Sequence, residues 1–133
     1  MTPGARLPAV VLAGLAWLAP APPPSAHHSV LPFDGTRPTT ITGVVTRVVW
    51  QNPHTHISLD VTDDRGGVER WGIESEGPRL LGRLGWTEES VTVGDLVTSV
   101  GARARSGERL MRCKTIETAD GRRLPCFPTG SPR

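Results

Sequence analysis

From Thr40 onward, apolar and polar residues alternate with a period of two, interrupted at intervals by Gly, Pro and Asp. In a strand, successive side chains point to opposite faces, so this pattern predicts half-buried strands. Thr40 to Trp50 is rich in β-branched residues and predicts the first. Gln51-Asn52-Pro53 interrupts it, because proline cannot donate to a ladder. His54 to Thr62 predicts the second, with Ile57, Leu59 and Val61 on the inner face and His54, His56, Ser58 and Asp60 on the other. Residues 63–67 (Asp-Asp-Arg-Gly-Gly) are a turn into a third strand, Val68 to Glu74, whose Trp71 and Ile73 face inward. Gly77-Pro78 opens a short helix, roughly Arg79 to Leu84, since proline suits a first helical turn, and Gly85 ends it. Val93-Gly94-Asp95 turns into strand four, Leu96 to Ala104. Ser106-Gly107 turns into strand five, Arg109 to Thr118, and Arg122 to Phe127 is a short hairpin return.

Three strands, a short helix and two more strands is the element order of a small OB-fold-like, five-stranded barrel; a small sandwich is the alternative all-β arrangement. Ahead of it, His27 to Thr39 contains Pro32, Gly35 and Pro38 without periodicity and reads as an arm, with Phe33 tucking into the core. The expected organisation is a signal peptide over 1–26, an arm over 27–39, a β-barrel domain over 40–127 and a loose tail over 128–133.

The signal reading rests on composition. Arg6 is the only charge before an apolar run, Ala9 to Ala19, that is too short to span a bilayer. Pro20 to Ala26 then breaks the helix and ends in Ser-Ala. Cleavage after Ala26 is favoured, with Ser25 and Ala21 as alternatives. The mature chain then has 133 − 26 = 107 residues, enough for one modest core. A periplasmic or secreted location without a stable membrane anchor follows. Of 15 basic and 13 acidic residues, the signal removes one basic, leaving a net +1. The expectation is no nucleic-acid partner, because no basic stripe follows a phosphate backbone.

Cys113 and Cys126 are the only cysteines. In an exported chain such a pair predicts a disulfide. A two-residue Asp120-Gly121 turn would set Thr115 opposite Cys126, with Cys113 diagonal on the same face, at the edge of disulfide reach.

The candidate chemistry lies in the histidines. Pairing the second and third strands in a register centred on Arg65 brings the two apolar faces together and sets His56 opposite Glu74 and His54 opposite Glu76. Two imidazoles and two carboxylates suit Zn or Cu(II). Taken alone, the patch reads first as two cross-strand His–Glu pairs on a solvated surface, each worth ~0.2–1 kcal/mol. His27 and His28 at the new terminus change that. After cleavage at Ala26, the His27 amine and imidazole form a copper chelate, given a third nitrogen from His28, His54 or His56, with His54 preferred. Cleavage after Ser25 instead gives Ala26-His27-His28, a terminal amine with a histidine at the third position. Either route is nitrogen-rich and favours Cu(II) over Zn. The 12 residues from His28 to Thr39 span up to about 40 Å, so the two pairs can meet. Trp50 shares the outer-face parity of His54 and, with Asn52, marks a candidate ligand face, although a Trp at a strand end more often plugs a barrel or lies as a flap under the arm.

No catalytic constellation is present. Ser29 and Ser58 have histidines nearby but no nucleophile elbow, and there is no phosphate-binding glycine loop. The first expectation is not an enzyme but a metal-binding module such as a copper chaperone or sensor. A non-metal ligand-binding or scaffold domain serving an unknown exported partner is the second.

Several motifs carry a resemblance. Ala26-His27-His28-Ser29, then Val48-x-Trp50-x-Asn52-Pro53-His54, Trp71 with Glu74, Gly85-Trp86 and Gly94-Asp95 resemble the exported bacterial proteins of domain-of-unknown-function family 6152. The resemblance covers nearly all of the mature chain and implies an exported small β-barrel with no assigned activity. His56 and the two cysteines stand outside its pattern.

Overall fold

The computed structural model describes Met1 and residues 32–128. The rest of the expected signal segment, the pair His27 and His28, and positions 129–133 lie outside the described residues. The elements are β1 (Phe33–Val49), β2 (His56–Thr62), β3 (Val68–Glu74), α1 (Pro78–Arg83), β4 (Leu96–Ala104), β5 (Leu110–Thr118) and β6 (Arg123–Pro125). The strands form one sheet in the order β3-β2-β1-β4-β5-β6, and the chain is all-β. Sheet neighbours are antiparallel. In addition, β3 pairs in parallel with β5, from Gly72↔Leu110 to Glu74↔Arg112.

The β2–β3 register is the one that alternation demands: Ile57↔Ile73, Leu59↔Trp71 and His56↔Glu74. A slip of one residue would turn the apolar set to solvent. Ile57, Leu59, Trp71 and Ile73 are buried, and Val61 is partly buried against the same core. Val45, Leu81, Trp86, Val97, Met111 and Ile116 complete the interior from the other elements.

Three departures from the sequence expectation have local causes. First, β1 begins at Phe33, not Thr40. Phe33 pairs with Ala104 and Asp34 with Arg103, then the register shifts before Pro38↔Ala102. This irregularity absorbs Gly35 to Arg37, and Asp34 accepts hydrogen bonds from the Thr36 amide and hydroxyl. Phe33 is buried, as its tucked placement requires. Second, a bulge lies between Val45 and Arg47 in the pairing with β2. An extra residue reverses face parity. Ile41 and Val45 point inward before it, and Val48 and Trp50 pack against the core after it.

The third departure is the β5–β6 register. The connection is a three-residue loop, with Thr118 N–H donating to the Arg122 carbonyl. Gly121 takes a left-handed conformation, φ 82°, as the last residue of such a loop favours. Thr115 therefore pairs with Pro125, one residue from the expected Cys126. The disulfide still forms. A bulge between Val100↔Thr115 and Gly101↔Cys113 leaves Lys114 unpaired with β4, so Cys113 and Ile116 both face the core. Cys126 N–H donates to the Lys114 carbonyl, and the two sulfurs are bonded at 1.99 Å with Cα atoms 5.7 Å apart.

Candidate functional site

The site lies where β1 gives way to β2 and β3 gives way to α1. The β2–β3 ladder continues past the strands here, with Ser75 N–H bonded to the Thr55 carbonyl and Thr55 N–H to that of Glu76. Trp50 stacks on Trp86 with ring centroids 6.5 Å apart. Trp86 is buried and its indole N–H donates to the Pro125 carbonyl at 2.8 Å. The two rings thus tie the loop after β1, the chain after α1 and the β6 segment into one cap. Trp50 is half-buried in that cap, not an outward stacking platform: the bulge before it has turned it in.

On the polar side, His54 is half-buried and His56 exposed, with ring centroids 6.4 Å apart. The expected opposition of His56 and Glu74 is met by the backbone, but the Glu74 side chain reaches His54 instead, Oε1 to Nδ1 at 3.1 Å. Arg112 then enters from β5. Its Nη1 lies 3.1 Å from Glu74 Oε1 and its Nη2 3.1 Å from Glu76 Oε1. Its guanidinium also stacks 4.7 Å above the Phe127 ring. Side-chain exposure is only 17% for Glu74, 21% for Arg112 and 23% for Glu76. At that burial a fork bonding two carboxylates is a structural commitment, because each charge depends on its partners.

The four-ligand patch of His54, His56, Glu74 and Glu76 is therefore brought together only in part. The carboxylates turn to Arg112, and among the described residues no group of three or more His, Cys, Asp or Glu is placed to hold a metal ion. Arg112 and Phe127 escaped the sequence reading. Alternation puts Arg112 outward, but only the parallel β3–β5 pairing, across 38 residues, shows which acids it meets.

Asn52 is exposed, next to a cis bond to Pro53. Together these residues form one side of a groove of about 320 Å³ whose other side is α1. The loop approaches α1 closely because residue 77 is glycine. A Cβ there would lie 2.6 Å from the Pro53 carbonyl oxygen and 2.8 Å from Asn52 Oδ1.

Compared with known families, residues 16–112 match the Family of unknown function (DUF6152). That span is more than half of the chain, and the chain belongs to this family. No curated protein matches it. Trp50, Asn52, Pro53, His54, Glu74 and Trp86, all within the matched span, gather at this one end of the sheet. The disulfide falls just beyond that span.

Proposed function

We propose that this member of the family is an exported small β-barrel acting as a binding module, and that it takes Cu(II) at His54. The strand pairings support an OB-type barrel: β1 to β2, β2 to β3, β3 to β5, β5 to β4 and β4 back to β1 form a ring, with α1 between the third and fourth strands. Export to the periplasm or beyond is supported by the signal-like segment 1–26 and by the disulfide, which persists in oxidising compartments.

The observation that carries the metal reading is the 3.1 Å contact between His54 Nδ1 and Glu74. A carboxylate on one ring nitrogen assigns the proton to that nitrogen and leaves Nε2 as the lone-pair donor. Histidine ligands are commonly oriented this way. Arg112, fixed by Glu76 and Phe127, holds Glu74 in turn. Glu74 and Glu76 then orient, and nitrogen ligates. The remaining donors are the His27 amine and imidazole, with His28 and His56 as further candidates. Such a set favours Cu(II), with Zn second.

The test is Cu(II) titration of the mature protein with an authentic His27 terminus, followed by calorimetry and electron paramagnetic resonance. One Cu(II) per chain is expected, with nitrogen hyperfine structure. His54→Ala weakens binding more than His56→Ala, and a residue added before His27 weakens it as well. Undiminished binding by His54→Ala contradicts the assignment. The alternative, a non-metal ligand or partner in an exported system, draws its support from the groove beside α1.

A further inference from the structure

The groove beside α1 has a charge pattern that the fold does not account for. Arg79 and Arg83 sit four residues apart on α1, exposed, and both line the groove. Like charges at this spacing repel and weaken a helix. Among the described residues neither guanidinium has a carboxylate within 4.0 Å. The groove's own acid, Glu76, is bonded to Arg112 at 3.1 Å and is not available to them. Facing them are Asn52 and Pro53, on a loop held against Gly77 with no room for a Cβ. The exposed surface of the groove is mainly polar, which suits a charged group better than an apolar one.

We propose that this groove binds an oxyanion, a phosphate or carboxylate group of a ligand, between Arg79 and Arg83, with the Asn52 amide as a third donor. The reason is chemical. A guanidinium presents a planar fork of N–H donors that matches two oxygens of a carboxylate or phosphate. Two such forks from one helical face, with an amide across the gap, surround one oxyanion from two sides. Glu76, already tied by Arg112, lines the site without filling it. This inference is independent of copper: none of the three donor side chains is among the proposed metal ligands.

The test uses the mature protein, isotopically labelled at the Arg Nε and Asn Nδ2 groups, at low ionic strength. Inorganic phosphate and a dicarboxylate, succinate, are titrated in separate arms. Saturable shifts at Arg79, Arg83 and Asn52 are expected in at least one arm, and the tighter arm identifies the source of the oxyanion. Arg79→Ala and Arg83→Ala each weaken binding about tenfold or more, the loss of a charge-assisted bond. Arg83→Lys restores part of it, since the charge remains and the fork does not. Arg65→Ala, in the turn between β2 and β3, leaves binding unchanged. Shifts that fail to saturate in both arms overturn the proposal. So does an Arg65→Ala variant that weakens binding as much as the groove variants, because that is diffuse attraction to a basic surface.

Discussion

At one end of the sheet Arg112 lies 3.1 Å from both Glu74 and Glu76, with side chains 17–23% exposed. At the other end Arg109 meets Glu69 at 2.7 Å, with exposures of 53% and 35%. The shorter contact is the weaker one. An exposed pair trades water for a partner and gains little. A half-buried fork cannot lose its partners without leaving carboxylates poorly solvated. The aromatic residues follow the same division. Trp86 is stacked on Trp50 and hydrogen-bonded within the cap. Trp71, farther along β3, is buried and covered by the side chain of Arg103, whose guanidinium lies 5.0 Å above the ring. The capped end is built to hold side chains in fixed positions, which a binding site requires.

The sharpest way to break this comparison is to remove the cap. Trp86→Ala deletes a buried ring and its bond to Pro125; a loss of about 3–5 kcal/mol is expected in urea denaturation. A loss under about 1 kcal/mol shows that the cap is not part of the cooperative core. Replacing both Cys113 and Cys126 by Ala opens a loop with a sequence separation of 13 and is expected to cost about 3 kcal/mol. Mass spectrometry of the native protein without reductant checks the premise, with two hydrogens missing from the chain mass.

The next contrast sets two arginines side by side. Arg112→Ala strands Glu74 and Glu76 and is expected to cost about 2 kcal/mol. Arg109→Ala lowers the denaturation midpoint only slightly, since the pair is exposed, and its effect is clearer in a titration. The hydrogen bond from Arg109, reinforced by its charge, holds the Glu69 carboxyl below the usual range. A lowered carboxyl contributes stability above the unfolded value, and that contribution is lost as pH falls through the folded one. In Arg109→Ala the Glu69 carboxyl should titrate higher, nearer the ordinary carboxylate range, followed by carbon-detected NMR. Equal losses from the two arginine variants contradict the contrast between the ends.

The sequence made the strands, the short helix and the β2–β3 register legible, because alternation sets which faces of Ile57, Leu59, Trp71 and Ile73 meet and the turn at 63–67 sets the offset. The pairing of the two cysteines was legible from composition, but its geometry was not. A three-residue loop at Gly121 and an unpaired Lys114 each shift a strand by one residue, and periodicity does not reveal such insertions. The same limit left the face of Trp50 open between an outer stacking spot and a core plug, because a bulge four residues earlier decides it. The candidate ligands His54 and His56 were correctly seen as neighbours. The side-chain partner of the two acids was not legible, because Arg112 arrives from a strand paired to β3 only in three dimensions. Arg79 and Arg83 were not singled out by the sequence, because the groove they line exists only once the Asn52-Pro53 loop folds against Gly77.

Paramagnetic broadening by Cu(II) tests most directly whether the capped end is the binding end. Substoichiometric Cu(II) is added to the nitrogen-labelled mature protein and amide signal loss is mapped along the chain. The expected result is selective loss around residues 52–56 and 74–76, with the turns at 63–67 and 105–109 unaffected, and recovery of those signals in His54→Ala. Loss confined to the N-terminal residues, or a pattern that His54→Ala leaves unchanged, contradicts a copper site at the capped end.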